Sequence, residues 1–182
     1  EQLARVADEL ENALQSLVEA DLVAIRRHEF WLEVEVRTDI LFPSGVATLS
    51  DNAYPALDAL AATLIKYPNP LRVEGHTDNV PISTRHYPSN WELSAARAAS
   101  VVHRFARAGI SPDRLSVIGF GEFRPAQTND TPAGRNANRR VIIVILAGEG
   151  APAPTDTAGV ADEASRAAQP AALPPLASVT PE

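Results

Sequence analysis

Cysteine and methionine are both missing from this 182-residue chain. Without cysteine there is no disulfide, no thiolate zinc ligand and no cysteine nucleophile, although the redox compartment stays open. Without methionine, residue 1 is not expected to be the start of the translated product. The sequence also lacks a signal peptide and any run near the roughly 20 apolar residues of a membrane-spanning helix.

Positive charge is scarce as well, with 16 basic residues against 23 acidic ones and a formal net charge of -7. Nucleic acids and anionic membranes are bound through broad basic surfaces. We therefore expect no nucleic-acid partner and only local recognition of any anion. What the chain does contain is 45% hydrophobic residues, enough for the core of one globular domain.

Apolar residues recur with helical spacing from Leu3 to Val18 and predict an N-terminal helix of about five turns. Such a stripe packs on its own domain or forms a dimer seam. Two to three heptads are too few to identify a coiled coil, so both interpretations stay open.

Strand and helix signals then alternate, which predicts an α/β (α+β) two-layer sandwich. Residues 22–37 predict one strand, whose buried face carries Phe30, Leu32, Val34 and Val36. Ser50 or Asp51 is expected to cap the next helix. The remaining elements are a helix with Leu57, Leu60, Ala61 and Leu64 on one face, a strand at 71–76, a helix from Asn90 to about Arg107, a strand at 114–120 and a buried strand at 141–146.

Composition divides the chain into three parts. Residues 1–21 are predicted to be a linker helix and residues 22–148 the folded domain. Residues 149–182 are rich in alanine and proline and contain no aromatic residue, so they are predicted to be a disordered tail.

The densest cluster of polar residues is GHTDNVPIS (75–83), placed where a strand ends and its loop begins. Asp78 is its first candidate site residue. Arg97 lies one helical turn from both Leu93 and Val101, so its guanidinium faces inward and needs an anion. The two charges could simply pair with each other. Alternatively they bind a zwitterion, with the carboxylate on an ammonium and the guanidinium on a carboxylate.

Other reactive residue types give weaker patterns. His76 with Asp78 suggests a metal pair, and adding Ser94 suggests a hydrolytic triad, but any polar loop contains these residue types. No HExxH or GxSxG motif is present, and GFGEFR (119–124) lacks the third glycine of a dinucleotide loop. We predict no catalytic residue, no metal and no cofactor, and we expect the two glycines to permit a tight turn after the strand.

The basic run GRNANRRV (134–141) leads into the last strand. Successive residues of an extended chain point to opposite faces, so one of Arg139 and Arg140 is expected to face the site. A structural patch of surface charge is the alternative interpretation.

Four segments occur in the order of a known family: GHTDNVPIS, PSNWELSAARA (88–98), VIGFGEFRPAQTND (117–130) and GRNANRRV. On these motifs the chain resembles the OmpA-like domain of the MotB family, the periplasmic part of a flagellar stator protein. The LFPSG element and the long insertion after Asp78 resemble MotB and MotD-like relatives more than porins or lipoproteins.

This resemblance implies an OmpA-like βαβαβ core with a mixed sheet, helices on one face, and a homodimer. It implies noncovalent binding of peptidoglycan through the diaminopimelate of the stem peptide. Asp78 would take the ammonium and Arg97 the carboxylate, while Thr77, Asn90 and Arg140 would line the pocket.

The implied role is a periplasmic anchor that holds a motor stator to the cell wall. A transmembrane helix absent from this chain would anchor the full-length protein in the inner membrane and join a MotA-like channel subunit, and the basal-body ring is a further implied partner. An envelope or secretion-system anchor of the same fold is the alternative function. A wall hydrolase using His76, Asp78 and Ser94 is a third hypothesis.

Overall fold

The computed structural model describes residues 1–148 and residue 151. Apart from Ala151, the predicted tail at 149–182 lies outside the described residues. Within the described part, no helix is both long and apolar enough to cross a membrane. The elements are α1 (Gln2–Ala13), α2 (Gln15–Glu19), β1 (Val23–Arg27), β2 (Trp31–Arg37), α3 (Thr38–Leu41), α4 (Ala53–Leu64), β3 (Leu71–His76), α5 (Asn90–Arg107), a 3-10 turn (Pro112–Arg114), β4 (Leu115–Gly121), α6 (Pro132–Asn138) and β5 (Arg140–Leu146).

The five strands form one mixed sheet in the order β1-β2-β5-β3-β4. β3 and β4 run parallel, and every other neighbouring pair is antiparallel. α1, α4 and α5 pack on one face of this sheet. The predicted α/β two-layer sandwich with a mixed sheet is therefore confirmed.

The core lies between the helices and alternate residues of the strands. Because side chains alternate across a strand, each strand gives one apolar set to the helices. On β2 this set is Leu32, Val34 and Val36, and on β5 it is Val141, Ile143 and Ile145, all at most 1% exposed. The opposite face carries charged residues, among them Glu35, Glu74 and Arg140.

The N-terminal apolar stripe packs on its own domain. Val6, Ala7, Leu10 and Leu14 are at most 1% exposed and belong to the same core cluster as the strands. The helix is interrupted at Leu14, where φ is -112°, so α1 and α2 replace one continuous helix. The predicted domain boundary between residues 21 and 22 stays a prediction.

Two local predictions were wrong, and one helix was not predicted. Residues 22–37 form a hairpin of two strands, closed by the hydrogen bond from His28 N to Trp31 O (2.9 Å), and Phe30 lies in its turn with 41% exposure. No glycine or proline marks that turn in the sequence. α4 begins at Ala53 after Asn52, which makes no side-chain cap bond. The loop before β5 contains α6, which is capped by Thr131.

Candidate functional site

The strand directions bring three connecting segments to one edge of the sheet. β5 runs antiparallel to both β2 and β3, and β4 runs parallel to β3. The segments after β2, β3 and β4 and the residue before β5 therefore lie at the same edge. Asp78, Arg97 and Arg139, with Thr77 and Asn90, are found there, and we call these five residues the Asp78 site.

Thr77 and Asp78 continue directly from β3. The backbone N–H of Thr77 donates to Gly121 O of the neighbouring strand at 2.8 Å, and the Thr77 hydroxyl donates to Asp78 O at 2.8 Å. Both residues are more than nine-tenths buried. These bonds fix the backbone just after β3, where it carries the Asp78 side chain.

The Asp78 carboxylate has two partners. Its Oδ2 accepts from Arg139 Nη1 at 2.6 Å, and its Oδ1 accepts from the backbone N–H of Val80 at 3.0 Å. A carboxylate offers about four lone-pair positions, so it can accept further donors. Asp78 pairs with Arg139 and not with Arg97, so the simple Asp78–Arg97 ion pair considered from the sequence is not formed.

Arg97 on α5 is only 5% exposed, as its position between two apolar residues predicted. Its Nε donates to Val46 O at 2.9 Å and its Nη2 to Pro43 O at 3.4 Å, while its guanidinium lies 5.3 Å from the Phe42 ring centroid. Burial lowers the pKa of Arg97 to about 10, so it stays protonated at neutral pH. The backbone carbonyls of Pro43, in the LFPSG segment (41–45), and of the adjacent Val46 thus solvate a buried charge that seemed to need an anion.

Asn90 links the insertion to α5. Its side-chain amide donates to Val80 O at 3.1 Å and, more weakly, to Asp78 O at 3.5 Å. Ser89 caps the helix by accepting from Trp91 N at 3.1 Å. The first turn of α5 therefore holds the chain that follows Asp78.

Asn138 holds the loop after β4 through its side-chain hydrogen bonds. It was not identified from the sequence as a site residue. Its Oδ1 accepts from the backbone N–H groups of Ala126 and Gln127, and its Nδ2 donates to Gln127 O and Asn129 Oδ1. Asn129 Oδ1 also accepts from Asn79 N at 3.3 Å. Asn138 is fully buried with its amide satisfied, and this burial is not visible in the sequence.

Arg140 lies elsewhere than expected. Its guanidinium donates to Asn138 O (3.3 Å) and Arg124 O (3.0 Å) on the sheet face opposite the helices. Burial lowers its pKa, and the nearby carboxylates of Glu35 and Glu74 oppose that shift. The arginine beside Asp78 is Arg139, whereas the family resemblance implied Arg140 and alternation along the strand left the choice between the two open.

The residues of the suggested triad are not assembled. Gly75 faces α5, since a Cβ there would lie 2.1 Å from Ser94 O, and the adjacent His76 points to the other face and stacks on Phe120. The Ser94 hydroxyl donates to Trp91 O and accepts from Gly121 N. Among the described residues no three histidine, aspartate or glutamate side chains form a group able to hold a metal ion.

Residues 41–139, which contain the whole Asp78 site, match the OmpA family. The chain belongs to the OmpA family. Motility protein B of Bacillus subtilis (strain 168) is 34% identical over 63% of this chain and 45% of its own length. This OmpA-family chain spans about half the length of the curated relatives it matches.

Two solved structures of the OmpA-family fold cover most of this chain. The cell wall anchor of the T6SS from Pseudomonas aeruginosa is 37% identical, with a TM-score of 0.72 over 78% of this chain and 99% of its own. A putative MotB-like protein from Desulfovibrio vulgaris is 28% identical, with a TM-score of 0.74 over 80% of this chain and 94% of its own. The similarity therefore extends beyond the matched segment 41–139.

Proposed function

We propose that this OmpA-family chain is a noncatalytic domain that binds peptidoglycan and so anchors a larger protein to the cell wall. The observation that carries the proposal is the Asp78 site, where a carboxylate and a buried guanidinium lie at one edge of the sheet. Asp78 would bind the ammonium of the diaminopimelate side chain and Arg97 its carboxylate. The likeness to a cell wall anchor supports the same role.

Thr77 and Asn90 would hold the pocket rather than contact charge, because their side chains already bond the backbone of residues 78 and 80. Arg139 shares the Asp78 carboxylate with the incoming ammonium. Arg140, predicted to line the pocket, would act only indirectly, through its bond to Asn138 O.

The motor role is the leading proposal for the whole protein. It is supported by the relatives named motility protein B and by the MotB-like structure. On this proposal the domain works as a homodimer in the periplasm, joined through an inner-membrane helix to a MotA-like channel subunit and close to the basal-body ring. A secretion-system anchor is the second candidate, supported by the 37% identity to the T6SS anchor.

Cosedimentation with insoluble diaminopimelate-type peptidoglycan tests the binding function. We expect the chain to pellet with the wall, and Asp78→Asn and Arg97→Ala to remain in solution. Loss of a charge-assisted hydrogen bond costs about 1.5–3 kcal/mol, which weakens binding roughly tenfold or more. Circular dichroism confirms that each variant is folded.

Asp58→Asn is the matched control, because Asp58 forms a bidentate pair with Arg104 on the α4–α5 surface, away from the site. It should pellet like the unchanged chain. If all variants pellet equally, the Asp78 site does not bind the wall. Deleting the gene then separates the two roles, since a stator anchor is needed for swimming and a secretion anchor for secretion.

A further inference from the structure

Exposed apolar side chains gather around the Asp78 site. In the described part of the chain, the three most exposed large hydrophobic residues are Phe123 (55%), Val80 (54%) and Trp91 (49%). All three lie beside this one site and not at separate places on the surface. Exposed apolar side chains beside a polar site indicate a contact surface.

Trp91 and Phe123 form a stacked pair, with ring centroids 4.8 Å apart and planes inclined by 24°. We call them the aromatic pair. It is fixed to the Asp78 site from two sides. Trp91 follows Asn90, whose amide contacts Asp78 O, and both members adjoin Gly121, whose carbonyl accepts from Thr77 N.

The size of the aromatic pair limits its occupant. A fully buried aromatic side chain covers about 150–250 Å², so two half-exposed rings offer on the order of 200 Å² together. A stable protein interface needs about 800 Å² per partner. The aromatic pair is therefore matched to a small ligand with a flat apolar face.

A pyranose ring with equatorial substituents has such faces, because its axial C–H bonds project perpendicular to the ring and leave each face free of hydroxyl groups. The C–H hydrogens carry partial positive charge, and the faces of aromatic rings are negative. N-acetylated sugars are uncharged, so the net charge of -7 does not repel them. Each stem peptide of peptidoglycan hangs from such a sugar.

We infer that the aromatic pair stacks on a sugar ring of the glycan strand while the Asp78 site holds the attached peptide. The inference rests on the proposed function and extends it from the peptide to the sugar. A stem peptide extends about 3.3–3.6 Å per residue, so its sugar lies within on the order of 10 Å of diaminopimelate. Asn90 of the Asp78 site, whose amide contacts Asp78 O, precedes Trp91 directly in the chain, so the two sites are neighbours.

Titration calorimetry of the full chain with three soluble probes tests this inference. The probes are a diaminopimelate-containing stem peptide, the same peptide joined to its disaccharide, and an N-acetylglucosamine oligomer. We expect the disaccharide-peptide to bind about tenfold tighter than the peptide. Trp91→Ala and Phe123→Ala should remove that difference and leave peptide binding unchanged, while Trp91→Phe keeps most of it.

Phe30→Ala is the matched control, because Phe30 is an exposed aromatic residue in the β1–β2 turn at the other end of the sheet. Retained peptide binding shows in each variant that the Asp78 site is folded. Equal affinity of the unchanged chain for both peptides would overturn the aromatic pair's role and leave the proposed function intact. Binding of the sugar oligomer but of neither peptide would overturn the role proposed for the Asp78 site, and binding of none of the three probes would overturn both proposals.

Discussion

Arg97 keeps its charge inside the protein because the bonds to Val46 O and Pro43 O replace water. These bonds use Nε and Nη2 of the planar guanidinium and leave its other N–H groups for a ligand carboxylate. A lysine at this position carries its three donors on a single nitrogen, so it lacks the planar fork that can bond both carbonyls and a ligand carboxylate bidentately. We expect Arg97→Lys to bind diaminopimelate at least tenfold more weakly in calorimetry and to lose about 1–2 kcal/mol of unfolding free energy.

Arg104→Lys is the control on the same helix, since Arg104 is partly exposed and pairs with Asp58 at the surface. Surface pairs contribute about 0–1 kcal/mol, so stability should change little and binding not at all. Unchanged binding by Arg97→Lys would show that the ligand needs only a positive charge there.

His76 is a second buried titratable residue, with 4% exposure. Burial lowers its pKa below the usual 6.5, and Glu74, whose Oε2 lies 3.5 Å from Nε2, partly opposes the shift. Below pH 6.5 the unfolded chain therefore binds a proton that the folded chain resists, so stability is present at pH 7 and falls as the pH falls.

We expect the urea midpoint of the unchanged chain to drop between pH 7 and pH 5.5 more than that of His76→Gln, by on the order of 1 kcal/mol in unfolding free energy. Glutamine keeps a polar group without a titrating proton in this range. Parallel pH profiles for both chains would show that another group controls acid sensitivity.

At the scale of elements, two glycines set how closely α5 approaches the sheet. A Cβ on Gly75 would lie 2.1 Å from Ser94 O, and one on Gly119 would lie 2.7 Å from both Ala95 Cβ and Ala95 N. Backbone atoms cannot move aside as a flexible side chain does. Gly119 was expected to permit a turn, but it permits close packing, and the turn glycine is Gly121 with φ of 61°.

Gly75→Ala and Gly119→Ala should therefore displace α5 and destabilise the fold by roughly 2–4 kcal/mol in urea denaturation. Gly148→Ala is the control, because nothing lies within 4 Å of its Cβ position. Binding should weaken along with stability, since α5 carries Arg97 and Asn90. Wild-type stability in both variants would mean that the helix can shift at little cost.

Periodicity predicted the elements near the site well, because those elements have clear boundaries in the sequence. β3 and α5 have the predicted limits, 71–76 and Asn90–Arg107. The β1–β2 hairpin was missed because its turn lacks glycine and proline. α6 was missed although Thr131 and Pro132 form a recognisable helix start.

The charged residues of the candidate site could be predicted from the sequence, but their hydrogen-bond partners could not. Asp78 and Arg97 stood out by type and position, and both are buried at one edge. The acceptors of Arg97 are backbone carbonyls more than 50 residues away, which no side-chain pattern reports. Which of Arg139 and Arg140 faces Asp78 depends on how the chain passes from α6 into β5. The alternation of residues along the sequence does not give that geometry.

At the scale of the whole molecule, the mixed topology of the sheet gathers more of the site-bearing strand ends at one edge than a meander of hairpins would. It places the ends of β2, β3 and β4 and the start of β5 at one edge, so residues that are far apart in the sequence, such as Thr77 and Arg139, form a single site. The opposite edge carries the β1–β2 turn and the end of β5. A domain of this kind can bind at one edge while the rest of a longer protein attaches elsewhere.

The packing of the N-terminal helix indicates whether residues 1–21 belong to the folded domain. From the sequence, residues 1–21 were predicted to be a linker, but Val6, Leu10 and Leu14 fill the core beside α4. Burial of each such side chain contributes about 1.5–3 kcal/mol. Three of them together supply roughly 5–9 kcal/mol, which is comparable with the whole stability of a typical domain.

We therefore expect deletion of residues 1–21 to leave a chain without a cooperative urea transition, measured by circular dichroism. Leu10→Ala in the full chain should cost about 2–5 kcal/mol, and Leu17→Ala, at a partly buried position, distinctly less. If residues 22–182 instead unfold cooperatively with the midpoint of the full chain, α1 is a detachable linker. A loss of the cooperative transition would instead show that any movement of the N-terminal helix must open the core against which it packs.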